Sequence, residues 1–126
     1  MRHGVFLLLL AMTASPSLAV EAPSSLRGTW SPDLSCGADA PRHVIGRTTL
    51  EWHANGERRA AAEVRYRVQG NEIAATVREV TSGDALRPGD VVHYLRLPGA
   101  IRPVRIERDG TTIDIPADRA FYACRR

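Results

Sequence analysis

The chain has no lysine. All 17 of its basic residues are arginine, set against 14 acidic ones for a formal net charge of +3 over 126 residues. Each cation is therefore a planar guanidinium, suited to carboxylate or phosphate. The accompanying 17 alanines mark this as a compositional bias. The balance is too small to imply nucleic acid as a partner. Aromatic residues make up only 6% and cysteines number two. Neither cysteine has a Cys or His at a zinc-ligand spacing, so no metal site is expected. No Gly-x-Ser-x-Gly elbow, repeat, low-complexity tract or sustained helical period is present. A multidomain enzyme, a coiled coil and a membrane-spanning chain are not expected.

The one long apolar run, Val5 to Ala14, would span roughly 15 Å as a helix, about half a bilayer core. It comes after the basic Met1-Arg2-His3 and precedes Ser17-Leu18-Ala19, whose small residues sit where a signal peptidase reads. Residues 1–19 are expected to be a signal peptide cleaved after Ala19. Removing 19 of 126 residues leaves 107, of which only 22 are Leu, Ile, Val or Phe. The mature chain is expected in the periplasm or secreted, with no membrane span. In an oxidising compartment Cys36 and Cys124 have one possible intramolecular pairing, which would join the two ends of a small domain.

Beyond the leader, the chain consists of short strands and strong turn signals. Residues 20–27 carry Pro and Ser and read as a flexible N-terminal arm; residues 28–126 form the domain. A short strand is expected around Trp30, and 42–46 reads as a possible helical turn. Thr48 to His53 alternates and ends at Asn55-Gly56, a type I′ hairpin signal. Ala60 to Val68 returns, and Gly70-Asn71 leads into Glu72 to Val80, where broken alternation implies a bulge near Glu79. Further strands are expected over 91–97, 101–108, 111–115 and 119–124, with Asp109-Gly110 as a second hairpin. On 91–97, His93 falls on the more apolar face and reads as a core or rim residue. Seven or eight strands joined by tight turns make an all-β, single, small antiparallel up-and-down barrel, with a β-sandwich as the alternative.

Particular residues carry three resemblances. Gly28-Thr29-Trp30 resembles the opening of lipocalin-like barrels, where the Trp closes the floor beside a late Arg; Arg119 is the matching position. Together with Cys36 and Tyr122-Ala123-Cys124, it is also similar to small exported bacterial proteins that open with Gly-Thr-Trp. More loosely, the chain resembles small periplasmic inhibitors of secreted metalloproteases. That likeness implies an inhibitory arm at Ser24, Ser25, Leu26 and Arg27.

No local constellation announces catalysis: His43, His53 and His93 are scattered, and both cysteines are expected to be oxidised. The expected class is a non-enzymatic exported binding or envelope-associated module without cofactor or metal. Its partner would be an exported protein or an acidic envelope component. Alternatives are an inhibitor of an exported hydrolase and a carrier of a small apolar ligand. The candidate binding surface is an outer band of Arg65, Arg67, Arg78, Arg96 and Arg105 with Tyr94 beside it. The competing structural reading pairs these arginines with Glu63, Glu79 and Glu107 across strands.

Overall fold

The structure, a computed structural model, describes residues 20–115 and 119–124. The expected leader, the end of the strand at Pro116 and the last two arginines lie outside these residues. The strands are β1 (Gly28–Ser31), β2 (Arg42–Ile45), β3 (Thr49–Ala54), β4 (Glu57–Gln69), β5 (Glu72–Gly83), β6 (Val91–Leu97), β7 (Ala100–Arg108), β8 (Thr111–Asp114) and β9 (Phe121–Ala123).

β1 to β7 succeed one another as antiparallel neighbours, and β9 pairs with both β7 and β1, closing an eight-stranded barrel. β8 is the extra strand. It pairs with β7 over Arg105–Arg108, while β9 takes the same edge of β7 at Ala100 and Ile101. The expected barrel is therefore the observed fold. Both hairpin signals act as their chemistry requires: Asn55 (φ 55°) and Gly56 (φ 78°), then Asp109 (φ 52°) and Gly110 (φ 78°), all have positive φ.

Alternate residues along much of β3 to β6 point inward, whereas β8 is exposed throughout. Ile45, Leu50, Tyr66, Ile73, Val77, Val92, Tyr94 and Ile101 are each at most 2% exposed. Two segments outside the strands stopper the ends. At the end where β1 begins, Leu26 (2% exposed) and Ala22 (0%) enter the core. At the opposite end, Leu86 in the β5–β6 loop does the same. Asp90 holds that loop. It is 1% exposed, grips Arg108 through both carboxylate oxygens (2.9 and 2.7 Å) and accepts the Arg87 amide at 2.9 Å.

Three expectations are corrected by this fold. Residues 42–45 are a strand rather than a helical turn, because Val44 and Ile45 pair with Glu51 and Leu50. The arm is packed rather than free. Its Val20 carbonyl accepts from Tyr66 N–H (3.1 Å), its Ala22 N–H reaches Arg47 O (2.9 Å), and a 3₁₀ turn spans Ser24–Leu26. The Trp30 indole N–H donates to Leu26 O at 3.0 Å, which ties this plug to the barrel wall. Finally, His93 lies on the outer face, since Val92 and Tyr94 are the buried residues of β6.

Cys36 and Cys124 form a disulfide across 88 residues, with a Cα–Cα distance of 6.0 Å. β9 is only three residues long, and two register pairs join it to each neighbour. The bond thus staples the strand that completes the barrel. For a loop of this length, chain entropy in the unfolded state gives a contribution of about 4–5 kcal/mol. Replacing both cysteines by serine is expected to lower unfolding free energy in urea by an amount of this order. A loss under about 1 kcal/mol would show that β9 holds without its staple.

Candidate functional site

The outer wall and the interior each bring polar side chains together. On the wall, alternation along β4 sends Val64 and Tyr66 inward and Glu63, Arg65 and Arg67 outward. On β5 the expected bulge is present: Glu63 faces Glu79 and Val64 faces Val77, leaving Arg78 as the extra residue. A bulge lets consecutive residues share one side of the sheet. Arg78 and Glu79 are accordingly both exposed. Arg65, Arg78, Glu63 and Glu79 line an open groove of about 390 Å³ together with Val20, Thr48 and Val64. Among the described residues, no carboxylate lies within 4.0 Å of the guanidinium of Arg65, Arg67 or Arg78.

The other members of the expected band are placed differently. Arg105 sits on the wall but is engaged: its Nη2 donates to Glu72 at 2.9 Å, and its Nε lies 3.6 Å from Glu107. His93 lies between the same two glutamates, 3.3 Å from Glu72 and 3.4 Å from Glu107. Cross-strand pairing thus accounts for Arg105, whereas Glu63 and Glu79 make no ion pair among the described residues. Arg96 shares the inward face of β6 with Tyr94 and reaches past the barrel end to Ser25 Oγ at 2.9 Å. Tyr94 is 0% exposed, so it belongs to the interior and not to the band. Its two outer neighbours on β6, His93 and Leu95, obscured the correct face in the sequence.

In the arm, Ser24 and Ser25 are exposed and Leu26 is buried. Arg27 Nε donates back to Ala22 O at 2.8 Å. A side chain that fills the barrel end is not available to enter a partner's cleft. Trp30 is buried, and Arg119 is exposed on the approach to β9. The Trp30 indole uses Leu26 as its partner instead.

The interior holds a polar chain the sequence did not reveal. Trp52 Nε1 donates to the Tyr94 hydroxyl at 3.3 Å, and that hydroxyl lies 2.8 Å from His43 Nδ1. Trp52 can only donate, so the Tyr94 oxygen accepts from it and the Tyr94 proton goes to Nδ1. His43 therefore carries its proton on Nε2, an assignment made from the network. Rings of Trp52, Tyr94 and Phe121 stand 5.1, 5.6 and 4.8 Å from the imidazole. Burial, with a smaller contribution from the His53 charge, pushes the His43 pKa down to about 3. Burial also raises the Tyr94 hydroxyl. Both groups stay neutral, which suits a structural hydrogen-bond chain and not proton transfer near neutral pH.

Among the described residues, no group of three or more His, Cys, Asp or Glu could hold a metal ion. No helix among them is long and apolar enough to cross a membrane. No family model, curated protein or solved structure matches the chain.

The His43 chain makes stability depend on pH. An unfolded imidazole takes up its proton near pH 6.5, the folded one only near 3. Between these values the unfolded state binds more protons, so stability falls as pH drops through the window. From pH 7 to pH 4 the loss attributable to His43 is roughly 3 kcal/mol. His43→Asn keeps an acceptor near the Nδ1 position without an imidazole to titrate. Urea unfolding at the two pH values is expected to show a smaller loss in the variant. Equal losses would contradict the buried, neutral assignment.

Proposed function

We propose that the protein is an exported, non-catalytic binding module that holds an anionic partner on the outer wall of its barrel, through Arg65, Arg67 and Arg78. One observation carries this reading: three exposed guanidiniums on two neighbouring strands, two of them lining one groove, have no carboxylate within ion-pair distance among the described residues. Arginine left unpaired in a row offers repeated forks to phosphate or carboxylate groups spaced along a polymer. The disulfide is compatible with export, and so is the lack, among the described residues, of a membrane-spanning helix. An acidic polymer of the cell envelope is the partner chemistry that fits an extended row better than a pocket. A carrier role has less support, because the barrel interior is occupied by Tyr66, Tyr94, Trp30 and the plugging Leu26 and Leu86. The inhibitory-arm role has less support because that arm is part of the core.

The test is binding of the exported chain to an anionic polysaccharide and to polyphosphate, at low and high salt. Binding is expected to weaken steeply as salt rises. Replacing Arg65, Arg67 and Arg78 together by glutamine is expected to reduce affinity about tenfold, with three exposed contacts each contributing about 0.3–1 kcal/mol. The melting temperature should stay within about 2 °C, because exposed substitutions of this kind change stability little. Salt-independent binding, or an unchanged affinity in the triple variant, would overturn the proposal.

A further inference from the structure

The groove that carries Arg65 and Arg78 is also lined by Val20, the residue just after the expected cleavage point. Val20 is not a pendant terminus. Its carbonyl accepts the Tyr66 amide at 3.1 Å, in line with Thr48 O, which accepts the Val64 amide at 2.8 Å. Val20 thereby extends the edge of β4 beyond the end of β3. Two residues later, Ala22 is fully buried and bonded to Arg47 O. The start of the folded chain is thus fixed on both sides.

Across the groove, Glu63 and Glu79 are directly opposed in register. Like charges at such a position are mutually destabilising. Thr48 Oγ1 gives Glu63 only a long contact, at 3.4 Å. Neither carboxylate has an ion-pair partner among the described residues. A nearby cation would remove the conflict. Before cleavage, the nitrogen of Val20 is a neutral amide; after cleavage, it is an ammonium.

We propose that cleavage after Ala19 installs the Val20 α-ammonium as a component of this groove, held by the opposed carboxylates of Glu63 and Glu79. Processing then does more than release the protein. It supplies a cation that offsets the Glu63–Glu79 repulsion. The proposal rests on cleavage after Ala19, and it stands or falls independently of what the arginine wall binds. Arg65 and Arg78 line the same groove and oppose the effect of the glutamates on the amine. Glu21, next in the chain, lies 3.7 Å from Arg27 and 3.9 Å from Arg47. The expected shift is therefore modest.

The composition offers a direct test. Because the chain has no lysine, the α-amine of Val20 is the one primary amine in the processed protein. Intact mass of the exported protein first reads the cleavage point. A mass that places it elsewhere rejects processing at Ala19 and with it the proposal as it concerns the cell. The docking itself is measured on the chain of residues 20–126, which holds the whole barrel. Trace acetylation across pH 6–10 then reports the amine alone. An ordinary α-amine titrates between about 7.7 and 8.0. The expected value is higher by roughly half a unit to one unit, as opposite charges nearby favour the charged form. Glu63→Gln with Glu79→Gln should return it to the ordinary range. Full acetylation should lower the melting temperature of the parent chain but not that of the double variant. An ordinary value in the parent, unchanged in the double variant, would overturn the docking.

Discussion

The structure depends on sealing the two ends of a narrow barrel. An eight-stranded sheet that curls on itself leaves an interior that side chains can nearly fill, but its ends stay open to water. This chain has little apolar material to spend on covers, and no α-helix among the described residues serves as one. It uses single leucines instead. Leu26 and Leu86 are each 2% exposed, although each sits in a segment rich in turn-forming residues. Their burial places demands on everything around them. Leu26 stays in place because its carbonyl receives the Trp30 indole and because Ala22 is anchored to Arg47. Leu86 stays because Asp90 and Arg108 clamp its loop to β7.

The clamp shows how a costly ion pair is tolerated. Burial alone would raise the pKa of Asp90. The bidentate Arg108 bond, the Arg87 amide and the two arginine charges outweigh it and hold the carboxyl below its usual range. The carboxylate's partners are all fixed by the fold, so the charged form is pre-solvated by protein. A buried carboxylate with these partners specifies one loop conformation, whereas apolar contact alone would accept several. The His43–Tyr94–Trp52 chain solves the opposite problem, by keeping each buried group neutral and giving the tyrosine both a donor and an acceptor.

Much of this was legible in the sequence and some was not, for physical reasons. Asn55-Gly56 and Asp109-Gly110 revealed their hairpins because few other dipeptides accept positive φ at both positions. The single possible cysteine pairing revealed the staple. The outward positions of Arg65 and Arg67 are legible because β4 alternates from Ala62 to Arg67. On β6 the same reasoning failed: Val91, Leu95 and Leu97 made the outer face look apolar, and His93 with it, while the interior took Val92 and Tyr94. The packing of the arm is not legible, because Pro23, Ser24 and Ser25 are turn formers and nothing local marks Leu26 as a plug. The His43–Tyr94 and Asp90–Arg108 contacts span 51 and 18 residues of sequence. They arise from closure of the sheet, which no local pattern encodes.

Topology also explains which arginines remain free. β4 and β5, at 13 and 12 residues, are the two longest strands, and they overhang their other neighbours. β3 pairs with β4 only as far as Glu63, and β6 pairs with β5 only from Thr76 back to Glu72. Arg65 and Arg67 therefore lie on the part of β4 beyond β3, and Arg78 on the part of β5 beyond β6. Each has a neighbouring strand on one side where a wall residue in register would have two. Arg105, in contrast, stands between β6 and β8, within reach of carboxylates on β5 and its own strand. Arg105, within the closed wall, is neutralised by Glu72 and Glu107, while Arg65, Arg67 and Arg78 on the overhangs have no carboxylate within ion-pair distance among the described residues. The same overhang leaves the β4 edge open for Val20. A single geometric mismatch in strand length therefore produces both the free guanidiniums and the seat of the arm.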